Sequence, residues 1–597
     1  MPQSKDTLIG KVASISGNQV SVKMLESTKS LMPIIDGILY RVGQLGSFLK
    51  IPLGYANLYG IVTQIGVDAL PDSLKKLALE DFDKAYSTRW LSMVLIGEKA
   101  INKFERGVTQ FPTAEDEVHI VTIEDLDLIY GSLDENTSIT VGNISVSESL
   151  PAKIDLNKLI TRHCAILGST GSGKSNTVAV LLESIAMNNF NSSRILVIDP
   201  HGEYNETLKE YSKVYKINAD KKENQSELYI PYWALPFNEL IKIFPGSLNE
   251  KQYEYVRNKV LDKKINYIII NKLEDKIKIE SLTSDSPVPF NIRQLWFELD
   301  DFERQTFNEV RKPETITKKI REGDALKLVS NEYEPASAGG GKPYLNHQAQ
   351  GILSFLDGMR NRLLDQRYNF LFNPGDLTPD LFGNIKKDLS LLLAEWLGDI
   401  SPITILDLSG IPSEIMTSIS GSILKIMYDS LFWGQELNVG GRKQPLLVVL
   451  EEAHNYLKSG ENSISSRTVQ TISKEGRKYG VGLLLVTQRP TELDETVLSQ
   501  CGTTIALRMN NRGDRGYVSA AVQDELSNMT DLLPSLRTGE GLILGEAVKI
   551  PSRVKFRKIS NAPKSTDPDV TEQWRKEKPD NSEYEVAVEN WRNQKFK

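Results

Sequence analysis

The sequence predicts an α/β protein. Its phosphate-loop core, built on a central, mostly parallel sheet, is preceded by a small β-barrel, interrupted by a mainly helical insertion and followed by a C-terminal extension. Three observations lead there. Gly168-Ser169-Thr170-Gly171-Ser172-Gly173-Lys174-Ser175 fits G-x-x-x-x-G-K-[ST], between an apolar strand-like run (His163–Leu167) and a helical period from Asn176. From about residue 151, apolar runs alternate with helical patterns, which implies parallel strands with helices on both faces. Ahead of that point, short strand-like runs punctuated by glycines suit a small closed barrel.

Composition bounds the possibilities. A chain of 597 residues has room for several domain-sized units, and 40% apolar with 25% charged residues is ordinary for a globular protein. The net charge of −7 confines any nucleic-acid surface to a local pore or groove. Cys164 and Cys501, each in an apolar run, exclude a disulfide framework or a Cys-rich zinc site and suit a reducing cytosol. No signal peptide opens the chain and no apolar run reaches the ~18 residues of a membrane span, so a cytoplasmic protein without membrane attachment is expected. The expected boundaries are barrel 1–150, first part of the core 151–231, insertion 232–398, second part of the core 399–560, and tail 561–597.

In the first region, Ile9–Ile15 and Gln19–Met24 flank Gly17-Asn18, a hairpin signal. Further strands are predicted at Gly37–Val42, Ser47–Ile51, Tyr59–Ile65, Trp90–Gly97, Val118–Thr122 and Ser138–Val146, with a helix over Leu70–Tyr86. Such a barrel can bind nucleic acid or serve as an assembly collar. In the insertion, Phe237–Phe244, Glu250–Leu273, Asn291–Phe307 and Leu389–Leu397 read as helices around an exposed loop, Tyr333–Tyr344. The core resumes with a strand at Ile403–Leu408, a helix at Ile415–Trp433, and strands at Pro445–Glu452, Gly480–Thr487 and Thr503–Met509. In the polar tail, Trp574, Tyr584 and Trp591 point to docking on the core or on a neighbour.

The chemistry follows from the phosphate loop. Its glycines let backbone N–H groups turn toward phosphates at the positive end of the next helix. Lys174 neutralises phosphate charge, and the Ser175 hydroxyl is a ligand for Mg²⁺. Pro445–Glu452 (PLLVVLEE) is an apolar strand ending in two acids, as a triphosphatase needs opposite that loop. Glu451 is the candidate for the metal's outer shell, and Glu452 for the base that takes a proton from the attacking water. Gln488, just past a central strand, is placed to sense the γ-phosphate or orient water. Asp199 and Glu203, in DPHGEY after the strand Arg194–Asp199, are supporting candidates, although a plain polar turn accounts for them equally well. Lys474–Lys478 is a basic cluster that fits a solvated helix end or an arginine reaching a neighbouring subunit's nucleotide. Lys458 and Arg467, in the Gly- and Ser-rich loop after the acids, are candidates for DNA phosphate contacts, against the alternative of an ordinary surface loop.

The combination resembles the HerA family of hexameric DNA translocases, relatives of the FtsK-type motors, through nearly the whole chain. The stretches that carry the resemblance are Arg162–Leu167 leading into Gly168–Ser175, Asp199–Tyr204, Glu451-Glu452-Ala453-His454, and Lys474–Gly480 through Gln488-Arg489-Pro490. Most such motors have Asp where this chain has Glu451, but Glu-Glu-Ala-His is the form typical of the HerA branch. The resemblance implies a RecA-like core, ATP and Mg²⁺ as cofactors, and a homo-hexameric ring acting on double-stranded DNA. It also implies roles for single residues. Glu452 is the base, Arg477 is the arginine lent to the adjacent subunit, and Arg162 and Asn176 join Gly168–Ser175 in the nucleotide site. Family members work with a partner effector, a nuclease or a sirtuin-like NAD-consuming protein, in DNA-end resection or antiviral defence. A composition rich in Asn, Ser and Gln, without a Glu/Lys bias, leans to the bacterial defence branch. Two competing readings are a conjugation-type coupling ATPase, which should carry transmembrane helices, and an ATP-gated scaffold that activates its effector with little translocation.

Overall fold

A computed structural model describes residues 7–25, 34–35, 38–39, 45–67, 89–100, 103–131, 133–145, 149–188, 190–220, 223, 225–309, 312–337, 341–520, 524–561, 563, 570–576, 578 and 581–593. The helix expected over Leu70–Tyr86 and most of the strand expected over Gly37–Val42 lie outside these residues.

Seven strands make up the N-terminal unit: β1 (Leu8–Ser16), β2 (Gln19–Met24), β3 (Phe48–Leu53), β4 (Ala56–Val67), β5 (Arg89–Ala100), β6 (Lys103–Arg106) and β7 (Glu117–Ile120). They pair antiparallel in the order β2-β1-β7-β3-β4-β5-β6. A further β2–β5 pairing, with Val22 opposite Leu91, closes six of them into a barrel and leaves β6 outside. Alternation along the strands sends Ile9, Val20, Val22, Ile51, Leu58 and Leu91 inward, where each is essentially fully buried. The barrel inferred from short, glycine-punctuated strands is therefore present and closed.

The second sheet has twelve strands. In chain order they are β8 (Ser138–Ile144), β9 (Pro151–Asp155), β10 (Cys164–Leu167), β11 (Arg194–Asp199), β12 (Ser212–Lys216), β13 (Gln225–Glu227), β14 (Ile403–Asp407), β15 (Leu446–Leu450), β16 (Val481–Thr487), β17 (Thr503–Leu507), β18 (Glu540–Gly545) and β19 (Ser552–Phe556). Their spatial order is β9-β8-β19-β18-β17-β10-β16-β15-β11-β14-β12-β13, and the eight from β17 to β13 are all parallel. The other four extend the sheet antiparallel. The sheet thus begins at Ser138, inside the stretch expected to belong to the barrel. The reason is a partner strand about 400 residues away in sequence, since β8 pairs with β19, Gly142 opposite Phe556.

Successive residues of the parallel strands face opposite layers. Ile195 and Val197 pack with the helix Lys174–Met187 and the barrel side, whereas Leu196 and Ile198 pack with the helices Met416–Trp433 and Ile464–Glu475 and with the insertion. The insertion adds the helices Glu250–Ile270, Ile292–Arg304, Leu353–Leu364 and Leu389–Leu397 to that second layer, the third of them unforeseen. Its core buries Trp233 and Trp296, whose indole N–H groups donate to the carbonyls of Leu377 (3.0 Å) and Leu356 (2.9 Å). Lys264, 1% exposed, donates to the carbonyls of Trp233, Ser284 and Ser286 at 3.3, 2.8 and 2.6 Å, tying the turn at Trp233 and the loop at 284–286 to one helix.

Candidate functional site

The parallel strands give the sheet two ends with different chemistry. At the carboxyl end, β10 runs into the phosphate loop and then into the helix Lys174–Met187. Gly171 (φ 71°) and Gly173 (φ 100°) are left-handed, and a Cβ on Gly173 would come within 3.1 Å of the Gly539 backbone nitrogen, so glycine is required there on two counts. Lys174 is 9% exposed, its Nζ 3.4 Å from the Ser169 carbonyl. Burial pulls its pKa down, and the charges of Glu452, Glu451 and Glu203 across the cleft offset only part of that.

Between the loop strand β10 and the acid-bearing strand β15 lies β16, and its end closes the site. Thr170 Oγ1 donates to Gln488 Oε1 at 2.6 Å, and the backbone N–H of Arg489 donates to Thr487 Oγ1 at 3.0 Å. Strand β15 stops at Leu450, so both acids lie just beyond it. Glu452 has φ 48°, a left-handed conformation costing a side chain about 1–3 kcal/mol, and the neighbouring structure holds it there. His454 Nδ1 lies 3.2 Å from Glu452 Oε2 and 3.0 Å from Thr487 Oγ1, within reach of both. Apart from that imidazole, Glu452 Oε2 is buried with no hydrogen-bond partner. Burial pushes the Glu452 pKa up, but His454, Lys174 and His201 outweigh it and keep the carboxylate ionised.

Glu451 is different. It is 2% exposed and accepts from Tyr204 Oη at 3.0 Å. Burial, then Asp199, Glu203 and Glu452, raise its pKa well above the carboxylate range. Asp199 is held as the hub of the DPHGEY turn by the backbone N–H groups of His201, Gly202 and Tyr204, and burial lifts its pKa to about 6. That turn aims Glu203 at the loop, where its Oε2 accepts from Ser175 Oγ at 2.7 Å. Glu203, expected to play a supporting part, therefore touches the candidate metal-binding hydroxyl directly, and Glu451 sits one layer behind, holding Tyr204.

Two buried oxygens test whether these residues fit a nucleotide with its divalent ion. Ser172 Oγ in the phosphate loop has no partner, and Glu452 Oε2 across the cleft has only the His454 imidazole beside it. With a buried ammonium, a free helix N-terminus and the Ser175 hydroxyl beside a carboxylate, the donor set fits a triphosphate and Mg²⁺.

Three expected residues have side chains that lie away from the chain's own phosphate loop. The side chain of Asn176 points away from the loop: it donates to the Arg557 carbonyl (2.9 Å) and accepts from the Ile559 N–H (3.1 Å), fastening the chain after β19 to the loop helix. Arg162 lies ahead of β10, at the amino end of the sheet, its Nε 3.7 Å from Glu546 Oε2. Arg477 is exposed in the turn Gly476–Tyr479 ahead of β16, at the same end, without an ion pair or hydrogen bond among the described residues. His163 joins the two neighbourhoods: its Nδ1 accepts from the Leu483 N–H (3.1 Å), so Nε2 carries the hydrogen donated to the Ser473 carbonyl (3.2 Å). With four to seven residues per strand at about 3.3 Å each, this end lies roughly 15–25 Å from the chain's own phosphate loop. Neither arginine can reach it.

Sequence reasoning passed over other residues at the loop. Arg508 Nη2 (3.4 Å) and Thr538 Oγ1 (3.3 Å) converge on the Gly171 carbonyl, and the Gly539 N–H donates to the Ser172 carbonyl at 3.0 Å. Their only sequence signal is position: Arg508 directly follows β17, and Thr538 and Gly539 directly precede β18. Of the DNA candidates, Lys458 faces Glu461 at 3.7 Å in a loop that bridges to Leu493, and Arg467 is exposed on the first turn of the helix Ile464–Glu475.

A RecA-like parallel sheet with a phosphate loop, two acids on a nearby strand and a polar side chain on the strand between them defines a P-loop nucleoside triphosphatase. The profile described as "Helicase HerA, central domain" matches residues 139–427, and "Helicase HerA-like C-terminal" matches 416–593. The chain belongs to the HerA family. The chain is 27% identical over 557 residues to the "DNA double-strand break repair helicase HerA" of Sulfurisphaera tokodaii, covering 92% of this chain and 94% of that one. The protein of the same name from Sulfolobus acidocaldarius is 27% identical over 471 residues, 78% of each chain. Among solved structures, VirB4 of Thermoanaerobacter pseudethanolicus aligns with a TM-score of 0.44 at 14% identity, over 72% of this chain and 98% of that one. Among the described residues, no helix is long and apolar enough to cross a membrane.

Proposed function

We propose that the protein is an ATP-driven motor that moves along double-stranded DNA as a closed homo-hexameric ring, with each nucleotide bound between two subunits. One observation carries this reading. The phosphate loop and its acids stand at one end of the sheet and Arg162 and Arg477 at the other, so a complete site needs two chains placed head to tail. Lys174 and the loop N–H groups hold the phosphates. Glu452, ionised, takes the proton of the attacking water. Thr487 and Gln488 fix the geometry on either side of it. Ser175, with Glu203 and Glu451 behind it, would hold Mg²⁺, whose charge neutralises the β- and γ-phosphates. A neighbour's Arg477, unpaired on its own chain, stabilises the charge of the transition state, with its Arg162 alongside. The ring threads DNA and works with a partner effector, a nuclease or an NAD-consuming enzyme, in antiviral defence in the cytoplasm. The name shared by the relatives favours a second setting, DNA-end processing in repair, driven by the same motor.

The test mixes two inactive proteins. Arg477→Ala is expected to bind ATP normally and to lose about 10³-fold in turnover, and a mixture of Arg477→Ala with Lys174→Ala is expected to regain part of it at composite sites. Full activity of Arg477→Ala alone would refute a trans-acting arginine. Stimulation of wild-type turnover by linear duplex separates a DNA motor from an ATP-gated scaffold, and co-purification from the native host with a nuclease or an NAD-consuming enzyme decides the setting.

A further inference from the structure

The amino end of the sheet carries a second feature. After the helix Met416–Trp433 the chain turns over 434–445 before entering β15. This turn presents Trp433, Leu437 and Val439 to solvent at 83%, 60% and 62% exposure. Three large apolar side chains together on a surface mark an interaction site rather than chance exposure. The turn is also rigid. The half-buried Arg194 guanidinium donates to the Val439 carbonyl at 3.1 Å and to the Gln444 carbonyl. Arg442 Nη1 faces Glu436 at 3.3 Å and Lys443 Nζ donates to Asn438 Oδ1 at 3.0 Å, which gives the apolar centre a charged rim.

The patch is coupled to the arginine turn next to it. Arg442 Nε donates to the Lys478 carbonyl at 3.0 Å, and the Leu446 N–H donates to the Gly480 carbonyl at 2.8 Å. The ring of Trp433 meets Phe432 edge-on with centroids 5.4 Å apart, and Phe432 lies 5.0 Å from Tyr479, two residues after Arg477. A continuous row of aromatic rings therefore leads from the exposed indole to the backbone that carries Arg477.

We infer that Trp433, Leu437 and Val439 anchor this chain on a second copy of itself, and that the Phe432–Tyr479 contact transmits that docking to Arg477. The inference rests on the ring reading above, which it deepens by naming the contact surface. The occupant is a second copy because the patch is continuous with the one sheet end whose arginines have no phosphate loop of their own to serve. Whatever covers Arg477 with a nucleotide site also covers this turn. An exposed, pre-held tryptophan with a polar rim has the make-up of an interface hot spot.

The experiment measures assembly by sedimentation velocity and ATP turnover across one dilution series of the full chain. Trp433→Ser and Leu437→Ser change exposed side chains, so folding and nucleotide binding are expected to match wild type. Trp433→Ser is expected to raise the concentration of half-assembly by about tenfold or more, with turnover returning at high concentration. Tyr479→Leu is expected to assemble normally and to lose about tenfold in turnover at saturation, because the arginine turn is no longer braced. Wild-type assembly by both serine variants would overturn the anchor while leaving the ring intact, and undiminished turnover of Tyr479→Leu would overturn the coupling. Full turnover by dilute, monomeric wild-type protein would instead remove the ring reading itself.

Discussion

The two ends of the parallel sheet are built from the same strands and follow opposite rules. At the carboxyl end five carboxylates, Asp199, Glu203, Asp407, Glu451 and Glu452, share a small volume and most find partners inside the chain, with Ser172 Oγ left over in the phosphate loop. At the amino end Arg477 makes no ion pair or hydrogen bond among the described residues, and Trp433 is uncovered. An end that satisfies itself can be tuned within one chain. An end that does not is finished by something else. Under the proposed ring, the difference makes the catalytic site two half-sites, one holding the nucleotide and one completing the charge balance.

The largest effects should come from the self-contained half. Lys174→Ala and Glu452→Gln are each expected to lower turnover by about 10³-fold or more, and the Glu452→Gln protein should still bind ATP, as fluorescent-nucleotide titration will show. Near-normal turnover in either would dissolve the contrast between the ends. Arg162→Ala sharpens it. Because Arg162 already leans on Glu546, its loss is expected to cost about tenfold, well short of Arg477→Ala, in side-by-side steady-state assays.

A smaller effect is readable in stability. Burial pulls the His163 pKa down to about 4, against about 6.5 in the unfolded chain. Between those values the unfolded chain binds the extra proton, so the contribution is complete above about pH 6.5 and fades as pH falls toward 4. Its steepest loss is about 1.4 kcal/mol per pH unit. His163→Gln should therefore unfold earlier at pH 7.5 yet lose less on acidification to pH 5.5, as thermal melts at the two pH values will show. A parallel fall in both proteins would mean that another group sets the acid limb. Smallest of all, Lys458→Ala with Arg467→Ala should flatten the salt dependence of duplex binding by about one unit of log–log slope per phosphate contact removed. Superimposable salt series would take this loop off the DNA path.

The two ends also differ in how far the sequence disclosed them. The phosphate loop, the acids and Gln488 were legible because their chemistry forces residue types at fixed spacing beside an apolar strand. Arg162 was legible as a nucleotide contact by resemblance, but which chain's nucleotide it faces is a matter of geometry. It is near the loop in sequence, but β10 runs its whole length between them. Asn176, adjacent to Ser175, points to the other side of its helix and does a structural job. Arg508 and Thr538 reach the loop only through β17 and the turn before β18, contacts that no local pattern encodes. The barrel was readable from its short, regular strands, whereas the affiliation of β8 depended on a partner strand near the far end of the chain.

The closure of β2 on β5 has a consequence for crowding. Every strand of the six-stranded barrel has neighbours on both sides, and the appended β6 is only four residues, Lys103, Phe104, Glu105 and Arg106, so the unit presents no long row of unpaired N–H and C=O groups for another chain to extend. When copies gather at high local concentration, these units meet chiefly through side chains. The large sheet keeps open margins at β9 and β13, but β9 is five residues that begin with Pro151 and include Lys153 and Asp155, and β13 is only Gln225, Ser226 and Glu227, both too short and too polar to template a fibre. Association without aggregation is thus written into where each sheet ends.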